Sequence, residues 1–170
     1  NNTILISNSD STATNFTAVD FAPANSTVGS RIVSKAIGTF ANSSSETADL
    51  FFETRHQGTS EKRLYIDSTG LVGIGTESPD QLLHLSSTGT CKLRLEDKRT
   101  SISNTSQYGV IQFEQRDSNT PGVSIEMAAV MEDTTNGASG LQFKTGTPST
   151  IDERVRIDRS GNVGIGTTSP

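Results

Sequence analysis

The sequence contains little of what a self-sufficient globular core requires. Hydrophobic residues account for 31% of its 170 positions and aromatic residues for 5%, tryptophan is absent, and the mean hydropathy is -0.39. Burial of so little apolar surface rarely offsets the conformational entropy that a chain loses on folding. Disulfides, metal ions or burial against other copies of the chain are the ordinary remedies. We expect the third of these, a homo-oligomer stabilised by contacts between copies.

The sequence gives little indication that disulfides or metal ions stabilise the chain. A single cysteine, Cys91, excludes a disulfide within the chain. Base rates favour a small buried hydrophobe at this position, with a reactive or cross-chain thiol as the alternative. No D-x-[DN]-x-[DN]-G spacing surrounds Asp67 or Asp158, so a calcium loop is not indicated. The G-x-G pairs lack the third glycine and the following helix of a dinucleotide loop. We expect no metal and no cofactor.

Clustered positive charge and long apolar runs are also missing. The net charge is -5 and the pI about 5.0, whereas nucleic acids and anionic membranes are bound by clustered Lys and Arg. No apolar stretch approaches the roughly 18 residues of a membrane span, and no signal peptide pattern opens the chain. We expect a soluble chain with no nucleic-acid partner and no membrane insertion. Because its first residue is Asn rather than Met, we interpret the chain as a piece of a longer polypeptide.

Apolar residues that are present alternate with polar ones. Clusters of Ser, Thr, Asn, Asp and Gly, such as the one at 133–137, separate the alternating segments and are typical of turns. A period of two predicts short strands, so we expect an all-β fold with almost no helix, and a strand even at Met127 to Met131. The alternating pairs are Leu93 and Leu95, Ile111 and Phe113, Val123 and Ile125, Leu141 and Phe143, and Val155 and Ile157.

A repeat organises the chain. The pattern R-x-x-I-D-x-x-G-x-V-G-I-G-T-x-S-P occurs at 63–79 and again at 154–170, with an offset of 91 residues. It divides the chain into a first β-rich unit at 1–79 and a second at 80–170. Upstream matches are looser: Thr3 to Ser7 with Lys92 to Glu96, Val19 to Phe21 with Ile111 to Phe113, and Arg31 to Ala36 with Ser124 to Ala129.

The spacing within the motif predicts a hairpin. If Ser68, Thr69 and Gly70 form a three-residue loop with Gly70 as a left-handed bulge, Asp67 faces Leu71. Leu64 then faces Ile74, and Ile66 faces Val72, which places the four apolar side chains on one face, whereas a two-residue loop would split them. In the second copy, the same register pairs Val155 with Ile165 and Ile157 with Val163. We expect both apolar sets to be buried.

Each remaining motif position has a structural interpretation. The aspartate accepts backbone hydrogen bonds in the turn, and the glycine after it adopts a positive φ. The G-x-G glycines on the opposite face leave bare backbone where another chain can approach. The proline interrupts the ladder. The structural-motif residues are Ile66, Asp67, Gly70, Val72, Gly73, Ile74, Gly75, Pro79, Ile157, Asp158, Gly161, Val163, Gly164, Ile165, Gly166 and Pro170.

The motif, followed in its first copy by Leu82-Leu-His-Leu, resembles a recurrent C-terminal motif of phage tail-fibre and related virion-appendage proteins. The resemblance implies an elongated, homotrimeric fibre of tandem β-rich units, located extracellularly in the virion tail. It implies contacts with other virion tail proteins and with a glycan or protein receptor on the host surface. In that family the motif often lies in fibre shafts or just before a C-terminal chaperone domain that assembles the homotrimer; we expect no such domain within these 170 residues.

Catalysis is not indicated by the sequence. The two histidines, His56 and His84, stand in no hydrolase motif and do not recur between copies. Scattered carboxylates and a few aromatic residues leave a polysaccharide depolymerase or a carbohydrate-binding module as alternatives, and a bacterial extracellular filament is a third. We expect a structural or adhesive segment that is not an enzyme. These carboxylates are Glu96, Asp97, Glu114, Asp117, Glu126, Glu132 and Asp133, and the aromatic residues are Phe16, Phe40, Tyr65 and Tyr108.

Overall fold

A computed structural model describes residues 5–8, 15–23, 27–38, 40 and 46–170 of the chain. Throughout these residues the chain forms strands, turns and irregular segments, and no helix occurs among them. The predicted all-β class is therefore confirmed. The stretch from Met127 to Met131 lies inside a long strand, as its alternating neighbours indicated.

The chain divides into two compact units, Asn1–Lys92 and Leu93–Pro170. The first unit contains a six-stranded sheet in which neighbours along the chain are neighbours in the sheet. Its first five strands are antiparallel, and the sixth pairs in parallel with the fifth. The strands are β1 (Phe16–Phe21), β2 (Ser30–Ala36), β3 (Ala48–His56), β4 (Thr59–Ile66), β5 (Val72–Ile74) and β6 (Leu83–Leu85).

The second unit contains a five-stranded antiparallel sheet with the same neighbour-to-neighbour order. Two of the three loosely matched segments fall on corresponding strands. Val19 to Phe21 lie in the first strand of one sheet and Ile111 to Phe113 in the first strand of the other, and 31–36 and 124–129 lie in the second strands. The strands are β7 (Gln107–Gln115), β8 (Gly122–Asp133), β9 (Ala138–Thr147), β10 (Thr150–Ile157) and β11 (Val163–Ile165).

The first compact unit extends past the first motif because β6 follows that motif and joins its sheet. The strand predicted at Leu93 and Leu95 does not form, and both side chains are exposed. Alternation places side chains on one face, but a strand also needs a hydrogen-bonding neighbour, and this segment has none among the described residues. Of the matched segment Thr3 to Ser7, residues 3 and 4 lie outside the described residues, and the rest is not a strand.

The core of the first unit is a row of side chains across its sheet. Val33, Phe51 and Tyr65 are buried neighbours on β2, β3 and β4, and the two rings stack with their centroids 5.8 Å apart. The Lys62 ammonium lies 4.8 Å from the centre of the Phe51 ring. The Tyr65 hydroxyl donates a hydrogen bond to the buried carboxylate of Asp49. Burial, and secondarily this carboxylate, raise the pKa of Tyr65 well above its ordinary value.

The core of the second unit combines apolar and ionic groups. Ala128 and Val130 of β8 are almost completely buried, and Gln142 and Arg156 lie on the same face of the sheet. Arg156 donates to Glu153 at 2.7 and 2.9 Å and to Glu132 at 2.7 Å. Hydrogen bonds to Glu153 first and Glu132 second raise the pKa of the Arg156 guanidinium. The ionic side chains therefore stabilise one another within the sheet's buried face.

Candidate association site

The two motif hairpins have the predicted register. Leu64 pairs with Ile74 and Ile66 with Val72 in the first copy. In the second copy, Val155 pairs with Ile165 and Ile157 with Val163. Each hairpin closes through a three-residue loop: the Asp67 amide donates to Leu71 at 3.0 Å, and the Asp158 amide donates to Asn162 at 2.9 Å.

The aspartate at the start of each loop organises the turn. Asp67 Oδ1 accepts backbone hydrogen bonds from Thr69 and Leu71, both at 2.9 Å. Asp158 Oδ1 accepts them from Ser160 and Asn162, both at 2.8 Å. These donors stabilise the ionised carboxylate and lower its pKa, with the Thr69 hydroxyl the largest cause at Asp67 and the Asn162 side chain the largest at Asp158.

The loop glycines adopt the left-handed conformation that the turn requires. Gly70 has a φ of 91° and Gly161 a φ of 87°, as predicted. A side chain at either position would be strained by its backbone conformation, although nothing lies within 4 Å of the added Cβ. The strain of such a substitution is therefore purely conformational.

The first glycine of each G-x-G pair serves a contact within the chain, which corrects the expectation of bare backbone open to another chain at Gly73 and Gly164. A Cβ on Gly73 would lie 2.4 Å from the carbonyl oxygen of Thr76, and one on Gly164 would lie 2.8 Å from that of Thr167. The connector after each hairpin folds back over its glycine, so both glycines are buried. Pro170 belongs to this contact in the second copy, and Pro79 occupies the corresponding connector before β6.

The apolar face of each hairpin is open to solvent within one chain, so the prediction that it is buried was wrong. Val163 is 60% exposed, Ile165 80% and Ile74 46%. Leu64, Ile66, Val72 and Val155 are partly covered by neighbours in the sheet, and Ile157 is exposed. The four side chains do share one face, but the side chains that each unit buries lie on the opposite face.

In the first unit, the open face extends across the whole sheet. One row joins Val19, Ile32, Phe52, Leu64, Ile74 and Leu85, each paired with the next. A second row joins Ser34, Leu50, Ile66, Val72 and Leu83 in the same way. No charged side chain occurs in either row. We call these two rows the first apolar face.

The second unit presents a matching surface. Its first row joins Ile111, Met127, Phe143, Val155 and Ile165. The row beside it joins Gly109, Ala129, Leu141, Ile157 and Val163. These positions also lack charge, and we call the two rows the second apolar face. Each motif hairpin thus contributes two strands to the open face of its own sheet.

The carboxylates that might serve a depolymerase mostly form ion pairs or turns. Glu132 pairs with Arg156, Asp133 with Arg159 and Asp97 with Arg99. Glu126 lies 3.9 Å from the Lys144 ammonium. Glu114 lies 3.8 Å from Arg116, and Asp117 accepts the Asn119 amide in a turn at 2.9 Å.

Other predicted side chains show no common site. Cys91 is exposed, contrary to the expectation of a small buried hydrophobe. Tyr65 belongs to the core of the first unit, while Phe16 and Phe40 are exposed. Among the described residues, no three or more His, Cys, Asp or Glu side chains gather as a metal site would require. The described part of the chain also holds no helix long and apolar enough to cross a membrane.

Sequence reasoning missed two features of the structure. The Arg156 network was not foreseen, because its carboxylates at 132 and 153 come together only when three strands pair. The position of the apolar faces, although not their exposure, could have been found from the alternation, since Ile111, Phe143 and Val155 each lie in an alternating segment. Periodicity identifies the two faces without telling which one the chain covers.

Known proteins match this chain in structure but not in sequence. No family model and no curated protein matches the sequence. Among solved structures, two of the carboxy-terminal domain of the bacteriophage T5 L-shaped tail fibre match it, one of them with its intra-molecular chaperone domain. Both match with a TM-score of 0.43 and 10% identity over 96% of this chain. The chain spans 58% of the length of the structure with the chaperone domain and 84% of the other.

Proposed function

We propose that this chain is a structural and adhesive segment of a phage tail fibre, in which three copies associate through their apolar faces. The observation that carries the proposal is the presence of an uncharged apolar face on each sheet, left open by the chain itself. A contiguous exposed apolar surface on a protein of low hydrophobic content is typical of an interaction site. The chain lacks charged residues on these faces although it is 19% charged overall.

Another copy of the chain is the partner that this surface fits best. The motif residues Leu64, Ile66, Val72 and Ile74 recur as Val155, Ile157, Val163 and Ile165, with an offset of 91 residues. A partner that covers both faces must itself carry two sets of apolar side chains, one for each face. A second copy aligned with the first meets this requirement automatically, and closed rotational symmetry satisfies every copy equally.

The number three comes from the resemblance of the motif to those of tail-fibre proteins, which assemble as homotrimers. The same resemblance supports a location in the virion tail, outside the host cell, and contacts with other tail proteins. The segments at 115–122 and 133–140, which include the turns between β7 and β8 and between β8 and β9, offer varied side chains for a glycan or protein receptor. The proposed role is mechanical and adhesive, without catalysis.

Assembly is tested by placing a charge on the second apolar face. Ile165→Asp should leave the single chain folded, because the side chain is 80% exposed there. It should abolish association, because burial of an unpaired carboxylate costs on the order of several kcal/mol per chain. Thr168→Asp, on the exposed connector after β11, is the matched control and should associate normally. Light scattering on the assembled protein should give three chains per particle.

Three outcomes would contradict the proposal. A parent protein that stays a folded monomer at high concentration would remove the basis of the fibre proposal. An Ile165→Asp protein that forms the same particle as the parent would show that the second apolar face is not the contact. Release of oligosaccharide from host envelope by the purified chain, lost on replacing one carboxylate, would replace the structural role with an enzymatic one.

A further inference from the structure

The two copies of the motif differ in what lies beside their last strand. In the first copy, β6 pairs in parallel with β5, so that Val72 lies opposite Leu83, and Ile74 opposite Leu85. In the second copy, the equivalent strand, β11, is the final strand of its sheet and pairs only with β10 within the described chain. One edge is thus occupied and its counterpart is open.

Backbone hydrogen bonds and a close approach hold β6 against β5 in the first copy. The Val72 amide donates to the carbonyl of Leu82 at 3.0 Å, and the Ser86 amide donates to the carbonyl of Ile74 at 2.9 Å. Gly75, with a φ of 77°, allows the backbone of Ser86 to lie close to it, since a Cβ on Gly75 would lie 2.2 Å from the Ser86 carbonyl oxygen. Leu83 and Leu85 extend the first apolar face by one strand.

The second copy has the same receiving elements. β11 carries the same Val-Gly-Ile sequence as β5, and Val163 and Ile165 pair with β10 as Val72 and Ile74 pair with β4. Gly166 has a φ of 71°, close to that of Gly75, but nothing lies within 4 Å of a Cβ built on it. The space that Ser86 fills in the first copy is therefore open beside Gly166.

We infer that the open edge of β11 is a docking site for the Leu-x-Leu strand that opens a further repeat unit, added in parallel as β6 is added to β5. An uncovered strand edge exposes unpaired backbone groups and invites pairing with another strand. The occupant is defined by its counterpart in the first copy. It is an extended segment whose two leucines lie beside Val163 and Ile165, and one of its backbone carbonyl groups lies next to Gly166. This strand addition is a separate contact from the association of copies through the apolar faces.

Extending the full chain tests the inference directly. Residues 80–92 are appended after Pro170, so that a second Leu-His-Leu segment follows the second motif at the spacing of the first. Attachment in the same chain keeps the segment at high effective concentration. Hydrogen–deuterium exchange of the Val163 amide, the counterpart of the Val72 amide bonded to Leu82, should slow at least about tenfold relative to the parent, while amides of β9 exchange as before.

Two controls make the result specific. An extension whose copies of Leu83 and Leu85 are replaced by Asp should give no protection. Gly166→Ala in the extended chain should remove protection because its methyl group would meet the docked strand, whereas Gly161→Ala should retain it. These two glycines are matched, since both have positive φ and nothing within 4 Å of an added Cβ.

Four results would overturn the inference. The Val163 amide could exchange equally fast with and without the extension while β9 stays protected. It could be equally slow in the parent, which would mean that another strand already covers this edge. Finally, the Asp-containing extension could protect as well as the leucine one, or the two glycine variants could behave alike, which would exclude strand docking at Gly166.

Discussion

The hydroxyl of Tyr65 brings a polar group into the buried row of the first sheet. It donates to Asp49, which also accepts the Ser68 backbone amide at 2.8 Å and is itself buried. A single residue thus joins the aromatic core to the start of the motif loop. The contact is polar on an otherwise apolar row, so removal of one partner leaves the other short of hydrogen bonds where water has little access.

Tyr65→Phe should therefore destabilise the first unit by about 1–3 kcal/mol, the range for leaving a buried acceptor unsatisfied. Urea unfolding followed by circular dichroism measures the loss as a lower midpoint with an unchanged slope. Tyr108→Phe is the control, because the Tyr108 hydroxyl makes no hydrogen bond within the described residues. Equal midpoints for the two variants would exclude a stabilising role for the Tyr65–Asp49 bond.

The loop aspartates make the hairpins sensitive to acid. The pKa of Asp67 and that of Asp158 are both lowered in the folded chain by hydrogen bonds to the ionised carboxylate. Their contribution is present above the unfolded pKa of about 3.9 and is lost as pH falls through the lower folded value. Stability should therefore be level from pH 7 to about 5 and fall below about 4.

The double variant Asp67→Asn, Asp158→Asn isolates this effect. It should be less stable than the parent at pH 7 and should lose less on acidification, as measured by thermal unfolding between pH 3 and 7. Some acid sensitivity should remain, because hydrogen bonds also lower the pKa of Asp97 and Asp133. An acid profile parallel to that of the parent would contradict the assignment.

At the scale of elements, strand β10 depends on one buried guanidinium. Arg156 holds Glu132 of β8 and Glu153 of its own strand, and the three side chains are largely buried. Arg156→Met should leave two carboxylates without their cation and cost about 3–5 kcal/mol. Arg154→Met, two residues away, removes an exposed pair with Asp152 and should cost about 0–1 kcal/mol. Chemical denaturation compares them, and similar losses would show that the network contributes little.

The hairpins show how far residue spacing determines an element. A period of two, an aspartate and a glycine were enough to predict the register and the positive φ of Gly70 and Gly161, because these are local properties of a turn. The covered face was predicted wrongly, since it depends on how Tyr65, Phe51 and Val33 pack across three strands. The parallel pairing of β6 with β5 was not predicted either, because a parallel pair requires a connection that no local pattern specifies.

At the scale of the whole molecule, the scarcity of apolar residues and their concentration on two open faces have one physical consequence. If association covers these faces, the folded state includes the partner copies, and mass action links stability to protein concentration. The midpoint temperature of unfolding should therefore rise over a hundredfold increase in parent concentration. Ile165→Asp should show no such rise. Scanning calorimetry of both proteins makes the comparison, and a parent midpoint independent of concentration would indicate that the faces stay open.

The recurrence of one apolar pattern in both sheets has a further result for the alignment of copies. Two chains displaced by 91 residues still bring one first apolar face against one second apolar face, because the motif side chains at these positions are nearly the same. If copies associate through these faces, such a staggered pair leaves one first apolar face and one second apolar face unmatched, and each can accept another staggered chain. Closed particles and open-ended filaments would then compete for the same surface, and the contacts that fix the alignment of one copy with the next would decide whether particles of defined size or polymers form.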